Sequence, residues 1–593
     1  MENKRENKSL ITRFAAPAVV LLGTALLGWH LQANQAYMFF YRESQQLLFL
    51  EWNYIAELVA QFGGLGIALS QMLIQFFIHP VVGAATTALL AGASAWMFYL
   101  SMRKISGSVA FLPLLFAPAL FQTLYLIDSY HLYEGLMAIF ALSVTLWGYS
   151  LCGGGYKIRL AIGAALAMAL YLLFGSVGML FAACAVLYDL MLKREKWYLS
   201  ALYAAFLLVA GSYMVSNGAV ADYDVAYGPK NYYEFYIEVT PFLTLSWWSV
   251  VVMMACVFAS RWLKGKWGSV AICVVLCGVV AGVYAQRHDN DKKEDVYTYM
   301  RLYHNIVNEQ WDEILRDREI NYQVPLHRNC VNFALSKRGE LLDKLFLYPQ
   351  GSDATSLIKE MGTFVEEHSI YSEIYYHLGI VSQTLELSLA AMAGTYPGTP
   401  LLLQQFVRSR VVMGDYDLAE KFVYRLEKTY AYRDWALEQR KFLHNDEAVE
   451  ADAEYGLKRR TLPELSSEFV SLYGLMYDLM KVLTANPENN VAREYAIACL
   501  LLNKNFDDII YFVEKYYNTP ILPELPVRLQ EAVVTYSEKD MDYCRRYGVS
   551  EQTINRFASF RQKVLTLRRQ QPNFSPKSQL AEFRDTFWYY MLK

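Results

Sequence analysis

Residues 268–295 read GSVAICVVLCGVVAGVYAQRHDNDKKED, and the character of the chain changes inside them. Gly268 to Ala285 form an uncharged run long enough to cross a bilayer as a helix, which takes about 20 apolar residues. Charges begin at Arg287 and stay frequent to the C-terminus. Upstream, residues 1–285 hold 16 Lys/Arg and 13 Asp/Glu; downstream, residues 286–593 hold 38 and 44. The first part has the composition of a membrane protein and the second that of a soluble domain, so the 593 residues divide at about 285/286. A chain that is soluble throughout and a disordered chain are both excluded. The net charge of −3 offers no basic surface, so nucleic acid is not an expected partner.

Working back from residue 268, eight further apolar segments appear, at roughly 14–31, 81–101, 108–127, 132–152, 159–174, 176–192, 198–216 and 242–262. Nine spans with a cytoplasmic N-terminus place 14 of the 16 Lys/Arg of this half in inner loops, leaving out Arg42 and Lys230. That bias is the positive-inside rule. It predicts a multi-pass protein of a bacterial inner (cytoplasmic) membrane, with residues 286–593 in the periplasm. Residues 58–79 (LVAQFGGLGIALSQMLIQFFIH) would reverse every later loop if they crossed. With Gln61, Gln71, Gln75 and three glycines, they read as an outer amphipathic or re-entrant element. The basic start and apolar core of the N-terminus resemble a signal peptide, but no clean small-x-small site follows, so an uncleaved anchor is expected.

The soluble half reads as helical. Gly414-Asp415-Tyr416 precedes an amphipathic stretch, Asn503-Lys504-Asn505 precedes another, and Leu378-Gly379 marks a third turn. These look like tetratricopeptide-type helical hairpins, although Ala419 and Ile509 are 90 residues apart, which is not a multiple of 34. The fold class predicted is therefore all-α: a polytopic transmembrane helix bundle followed by a soluble, tetratricopeptide-like helical-repeat domain. A stacked solenoid has a long concave surface that can hold a peptide, a glycan or a partner domain, or can serve as a spacer. The eight cysteines form no CxxC and no disulfide framework.

No GxSxG, HExxH, P-loop or EF-hand loop occurs. The acids of the membrane half are more informative, since nine of 13 fall on the predicted outer side. Glu43 and Glu51 lie in the first outer loop. Asp128, His131 and Glu134 occupy seven residues where two spans meet, and Asp222-Tyr223-Asp224 lies in a later loop, followed by Glu234 and Glu238. Acids at the mouth of a bundle can act as a general base or hold a divalent cation. They also follow in part from topology alone, as the neighbouring Tyr and Trp follow from an interfacial belt.

The order of parts in residues 1–130, with one span, then Glu43 and Glu51, then the amphipathic stretch 58–79 and a second acid at Asp128, resembles membrane glycosyltransferases of the C-type fold. Many members carry Asp where this chain has Glu, and the only Asp-x-Asp of this half, Asp222 to Asp224, comes later. Over nearly its whole length the chain is similar to an uncharacterised family of bacterial multi-spanning proteins with C-terminal tetratricopeptide-like repeats. Glu43-Ser44-Gln45-Gln46-Leu47-Leu48-Phe49, Gln75-Phe76-Phe77-Ile78-His79-Pro80, Gly414-Asp415-Tyr416 and Arg433-Asp434-Trp435-Ala436 carry that similarity. The second similarity supports the architecture and brings no activity; the first implies an enzyme that transfers a sugar from a polyprenyl-phosphate donor to a periplasmic protein or glycan acceptor. In it Glu43 is the base with Glu51 as substitute, while Asp128, His131, Glu134, Asp222 and Asp224 bind substrate or a divalent cation. The alternative is a non-enzymatic, membrane-anchored repeat scaffold for envelope assembly. A transporter is disfavoured by the scarcity of charge within the spans.

Overall fold

Small residues decide how the first long helices meet. In the computed structural model, helix α1 (Glu2–Gln45) is kinked at Gln35 and packs against α4 (Pro80–Met102). The buried stripe Gly83, Ala84, Thr87, Ala88, Ala91, Gly92 and Ala95 of α4 allows it. A β-carbon at Gly83 would lie 2.6 Å from the Phe39 ring, and one at Gly92 2.0 Å from the Thr24 hydroxyl. Helices in a bilayer gain little from apolar burial and so associate through such close backbone approach. The structure describes residues 2–106, 111–126, 128, 131–153, 155–233, 243–260, 266–293, 296–359, 365–394, 399–462, 474–537, 540–570 and 579–592.

The other helices of this half are α2 (Trp52–Ala60), α3 (Gly64–Ile74), α5 (Ala117–Tyr125), α6 (Glu134–Leu151), α7 (Tyr156–Phe174), α8 (Val177–Met191), α9 (Ala201–Ser216), α10 (Tyr223–Tyr227), α11 (Leu243–Ala259) and α12 (Lys266–Lys293). Each of the nine predicted apolar segments falls on a helix. Five of these helices, Ala15–Gln45, Pro80–Met102, Glu134–Leu151, Tyr156–Phe174 and Trp197–Ser216, are long and apolar enough to cross a membrane. The other four segments are represented by the shorter apolar stretches Pro113–Leu124, Val177–Met191, Thr244–Ala259 and Cys273–Val283. Segment 58–79 is broken into α2 and α3 at Gly63, which has φ +75°. The tight hairpin expected at Phe174-Gly175-Ser176 forms with Gly175 at φ +84°. The outward faces are apolar: Leu21, Trp29 and Val209 are each 70% exposed. Water would not tolerate so large an apolar face, and lipid does.

The chain separates into two compact units, Met1–Met300 with Lys428–Ala431, and Arg301–Glu427 with Tyr432–Lys593. The second unit is helical, and among the described residues no strand forms in either unit. Helices Val365–Leu378 and Val381–Gly394 pack together, as do Pro400–Met413 and Tyr416–Glu427. Gly379 and Gly414, at φ +90° and +82°, turn the chain between the partners of each pair. Lys504 adopts the same left-handed conformation between Asn490–Asn503 and Phe506–Tyr516. All eight cysteines are free; Cys330, Cys499 and Cys544 are buried and pack as small apolar residues.

One half-buried carboxyl makes the stability of this unit depend on pH. Burial, then the neighbouring Asp343, pushes Glu494 up to about 7. An unfolded Glu titrates near 4.3. In the window between, the folded state holds a proton that the unfolded state has released, so stability falls as pH rises through it. Glu494→Gln is expected to be near neutral at pH 5 and stabilising by ~1 kcal/mol at pH 8, after allowance for solvent screening. Hydrogen exchange of the helix Asn490–Asn503 measures this. Identical pH dependence in wild type and variant would contradict it.

Candidate functional site

The last turn of α1 delivers Arg42 to the loop between α5 and α6. The side chain is buried, and its donors reach backbone carbonyls. Nε donates to Leu126 O at 3.0 Å, Nη2 to Leu126 O at 2.5 Å and Asp128 O at 2.8 Å, and Nη1 to His131 O at 2.6 Å. The Asp128 carboxylate accepts from the Tyr233 hydroxyl at 2.8 Å. The Leu132 amide donates to Tyr232 O at 3.0 Å, and His131 forms an isolated antiparallel bridge with Tyr233. The Tyr232 hydroxyl in turn donates to Phe174 O at 2.7 Å and accepts from the Val177 amide at 3.0 Å. Four segments distant in sequence are thereby tied at one end of the bundle.

The acids are gathered round this guanidinium. The Arg42 charge is offset chiefly by Asp128 and then by Glu134, which opens α6 and is buried. His131 is 0% exposed. Burial, then the Arg42 charge, holds its imidazole well below the usual value, so it is neutral at pH 7. Gly135 makes room here, since a β-carbon on it would sit 2.3 Å from Gln122 Oε1 and 3.2 Å from His131 Cε1. Glu43, the residue after Arg42, is also buried. Tyr133, between His131 and Glu134, bonds through its hydroxyl to Thr87 at 2.9 Å, and its ring meets Phe77 edge-on.

The remaining predicted residues have local partners of their own or are exposed. Glu51 is exposed at the N-cap of α2 and makes no capping bond through its side chain. Asp222 caps α10, accepting from the Val225 amide at 2.8 Å, and pairs with Lys230 at 2.9 Å. The Lys230 bond, then the Val225 amide, lowers its carboxyl below the usual range. Asp224 is exposed in the first turn of α10. Glu234 and Glu238 lie outside the described residues. Among the described residues no three of His, Cys, Asp and Glu are grouped to hold a metal ion. Asp128 and Glu134 instead face a guanidinium, which would repel a cation.

Two residues were missed in the sequence. Arg42 is one of the only two bases outside the predicted inner loops, and that was its signal. Asp189, in the last turn of α8, is 0% exposed. It accepts from Tyr149 Oη at 2.7 Å and Ser200 Oγ at 2.5 Å, and pairs with Arg159 at 3.2 Å and Arg194 at 3.1 Å. So completely partnered a carboxylate joins α6, α7, α8 and the start of the next helix as a structural lock.

A family model matches residues 10–593, and the chain belongs to that family, the family of unknown function DUF6057. No match was found among curated proteins or among solved structures.

Proposed function

We propose that this member of a family without an assigned activity is an integral membrane enzyme working at the Arg42 end of its helix bundle. It would transfer a sugar from a polyprenyl-phosphate donor to a protein or glycan acceptor on the outer face of the bacterial cytoplasmic membrane. The observation that carries the reading is the burial of Arg42, Glu43, His131 and Glu134, with the half-buried Asp128 beside them, at one end of a largely apolar bundle. Ionisable groups are expensive there and are kept where they act. In this reading Glu43 takes the proton of the acceptor hydroxyl, whose oxygen attacks the anomeric carbon. The carbon–oxygen bond to the polyprenyl phosphate breaks, and the phosphate leaves with the electron pair. Asp128 and Glu134, balanced by Arg42, keep the site polar, and His131 is held neutral among them. The distribution of basic residues supports a cytoplasmic N-terminus and a periplasmic C-terminal region, whose paired helices, read as tetratricopeptide-like hairpins, would present the acceptor.

A second reading, a membrane-anchored scaffold for envelope assembly, is favoured by one observation. Arg42 spends its donors on backbone carbonyls, as a residue kept for architecture does. The test is sugar transfer by the full-length protein in nanodiscs, with polyprenyl-phosphate-linked radiolabelled sugar and envelope extract as acceptor. Glu43→Gln is expected to lower transfer by about 10²–10⁴, the contribution of a general base, with the melting temperature unchanged. Absence of transfer by wild type, with wild type and Glu43→Gln retaining the same envelope partners, would leave the scaffold.

A further inference from the structure

Three cations of the second unit gather round the end of helix Val365–Leu378. Helix Pro400–Met413, with Arg408, packs against both Val365–Leu378 and Tyr455–Arg460, which carries Lys458. The Arg408 guanidinium lies 6.0 Å from the ring centres of both Tyr376 and Trp435. Lys458 Nζ lies 4.3 Å from the Tyr376 ring centre and donates to Tyr376 O at 2.6 Å. Lys337, the last residue of Pro325–Lys337, adds a third charge that acts on both Lys458 and His377. All three cations are half-buried.

The cluster is not balanced by its own acids. Glu373 and Glu454 offset part of the charge, but three cations against two acids leave an excess of one positive charge. Glu373 is engaged by Gln405 Nε2, and among the described residues no carboxylate forms an ion pair with Lys337, Arg408 or Lys458. Two more polar atoms end here without hydrogen-bond partners among the described residues: Tyr376 Oη, on a residue only 4% exposed, and His377 Nε2. Glu454 is close to the first without the geometry of a bond. Burial, then the charges of Lys337 and Lys458, pushes His377 down to about 3, so its imidazole is neutral and can carry its proton on Nε2. Buried polar groups without partners are costly, and one oxyanion would serve a guanidinium fork, an ammonium, a phenol and an imidazole together. Trp435, half-buried beside the guanidinium, offers a flat apolar face to a ring-shaped carbon skeleton. We propose that this cluster binds an acidic sugar, with its carboxylate or phosphate on Arg408 and Lys458 and its ring beside Trp435. Such binding does not require the chain to be a transferase.

Lys458 reports occupancy. Burial, ahead of the nearby charges, pushes its ammonium down to about 8. At pH 8 about half of it is free amine, against under about 1% of an ordinary lysine near 10.4. A bound oxyanion favours the ammonium and so slows acylation. The full-length protein in uncharged phosphatidylcholine nanodiscs is treated at pH 8 with an N-hydroxysuccinimide ester, and modification of each lysine is timed by peptide mass spectrometry. Glucuronate or glucose 6-phosphate at about 10 mM is expected to slow Lys458 about tenfold, with glucose having no effect. The more effective of the two assigns the head group. Arg408→Gln should reduce the protection about tenfold. Lys337→Gln, at the end of its helix, should reduce it about threefold with helical circular dichroism unchanged, and serves if the first variant misfolds. Lack of protection by both sugar anions, or protection that survives both variants, would overturn the proposal. Equal protection by glucose would remove the charge from it, and equal protection by acetate and inorganic phosphate would remove the sugar; either result overturns it.

Discussion

Asp189→Ala is expected to destabilise the membrane unit by about 3–5 kcal/mol, the cost of leaving a buried ion pair without one partner. The cost is high because one carboxylate serves two guanidiniums. Arg159 and Arg194 keep only 9% and 17% of their side chains exposed, against 0% for Asp189. Neither can withdraw easily. Arg159 also donates to Glu195 O at 2.6 Å, and its own carbonyl receives the Tyr203 hydroxyl at 3.2 Å. Arg194 lies over the rings of Tyr188 and Tyr149, at 5.2 and 5.7 Å from their centroids. Without the carboxylate, two positive charges would share a cavity with two hydroxyls that have lost their acceptor. Asp189→Asn keeps one acceptor oxygen and removes the charge, so it should fall between wild type and alanine. Melting in nanodiscs and the yield of folded protein measure both variants. A loss under about 1 kcal/mol for alanine would mean that the arginines find water, and that the network is not a lock.

Asp189 also shows where the sequence stops being informative. Periodicity and charge density locate every apolar helix, because 20-residue uncharged runs have no other stable arrangement in lipid. They also locate the turns at Gly175, Gly379 and Gly414, because the backbone there needs positive φ. Pairing is different in kind. Arg159 and Arg194 already had an explanation as inner-loop bases, so nothing in the sequence asked for a partner in α8. The acids at 128 and 134 were legible as a cluster because they are close in sequence. What they cluster round was not legible, since Arg42 lies 86 residues before Asp128 and meets it only through the fold. The Asp222–Asp224 pair carries two readings at once. Asp-x-Asp suggests a ligand site, but an Asp before a short helix is equally an N-cap, and Asp222 accepts the Val225 amide as a cap does.

Replacing Arg42 should have an effect as large as replacing Asp189, and for a reason that bears on function. Arg42→Leu removes four hydrogen bonds to Leu126, Asp128 and His131 carbonyls, each a bond from a charged donor and worth about 1.5–3 kcal/mol before cooperativity is allowed for. It also strips the positive charge from beside Asp128 and Glu134. The expected loss is about 4 kcal/mol or more, concentrated in the 126–134 loop. Arg42→Lys should recover little of it. An ammonium is a point donor on a flexible stem and cannot reproduce the planar fork that spans three carbonyls. Hydrogen exchange separates the two contributions. Loss of the fork exposes the Leu132 amide, which now bonds to Tyr232 O, whichever residue replaces Arg42. Loss of charge appears only in Arg42→Leu, and Asp128→Asn with Glu134→Gln in the same chain should repair that part, since the uncompensated carboxylates are gone. If the triple variant regains the charge-dependent part while the Leu132 amide stays exposed, the two contributions are separate, as the fork and the charge require. If Arg42→Leu alone is as stable as wild type within about 1 kcal/mol, the guanidinium does not hold the loop, and its burial at this end needs a bound anion to explain it.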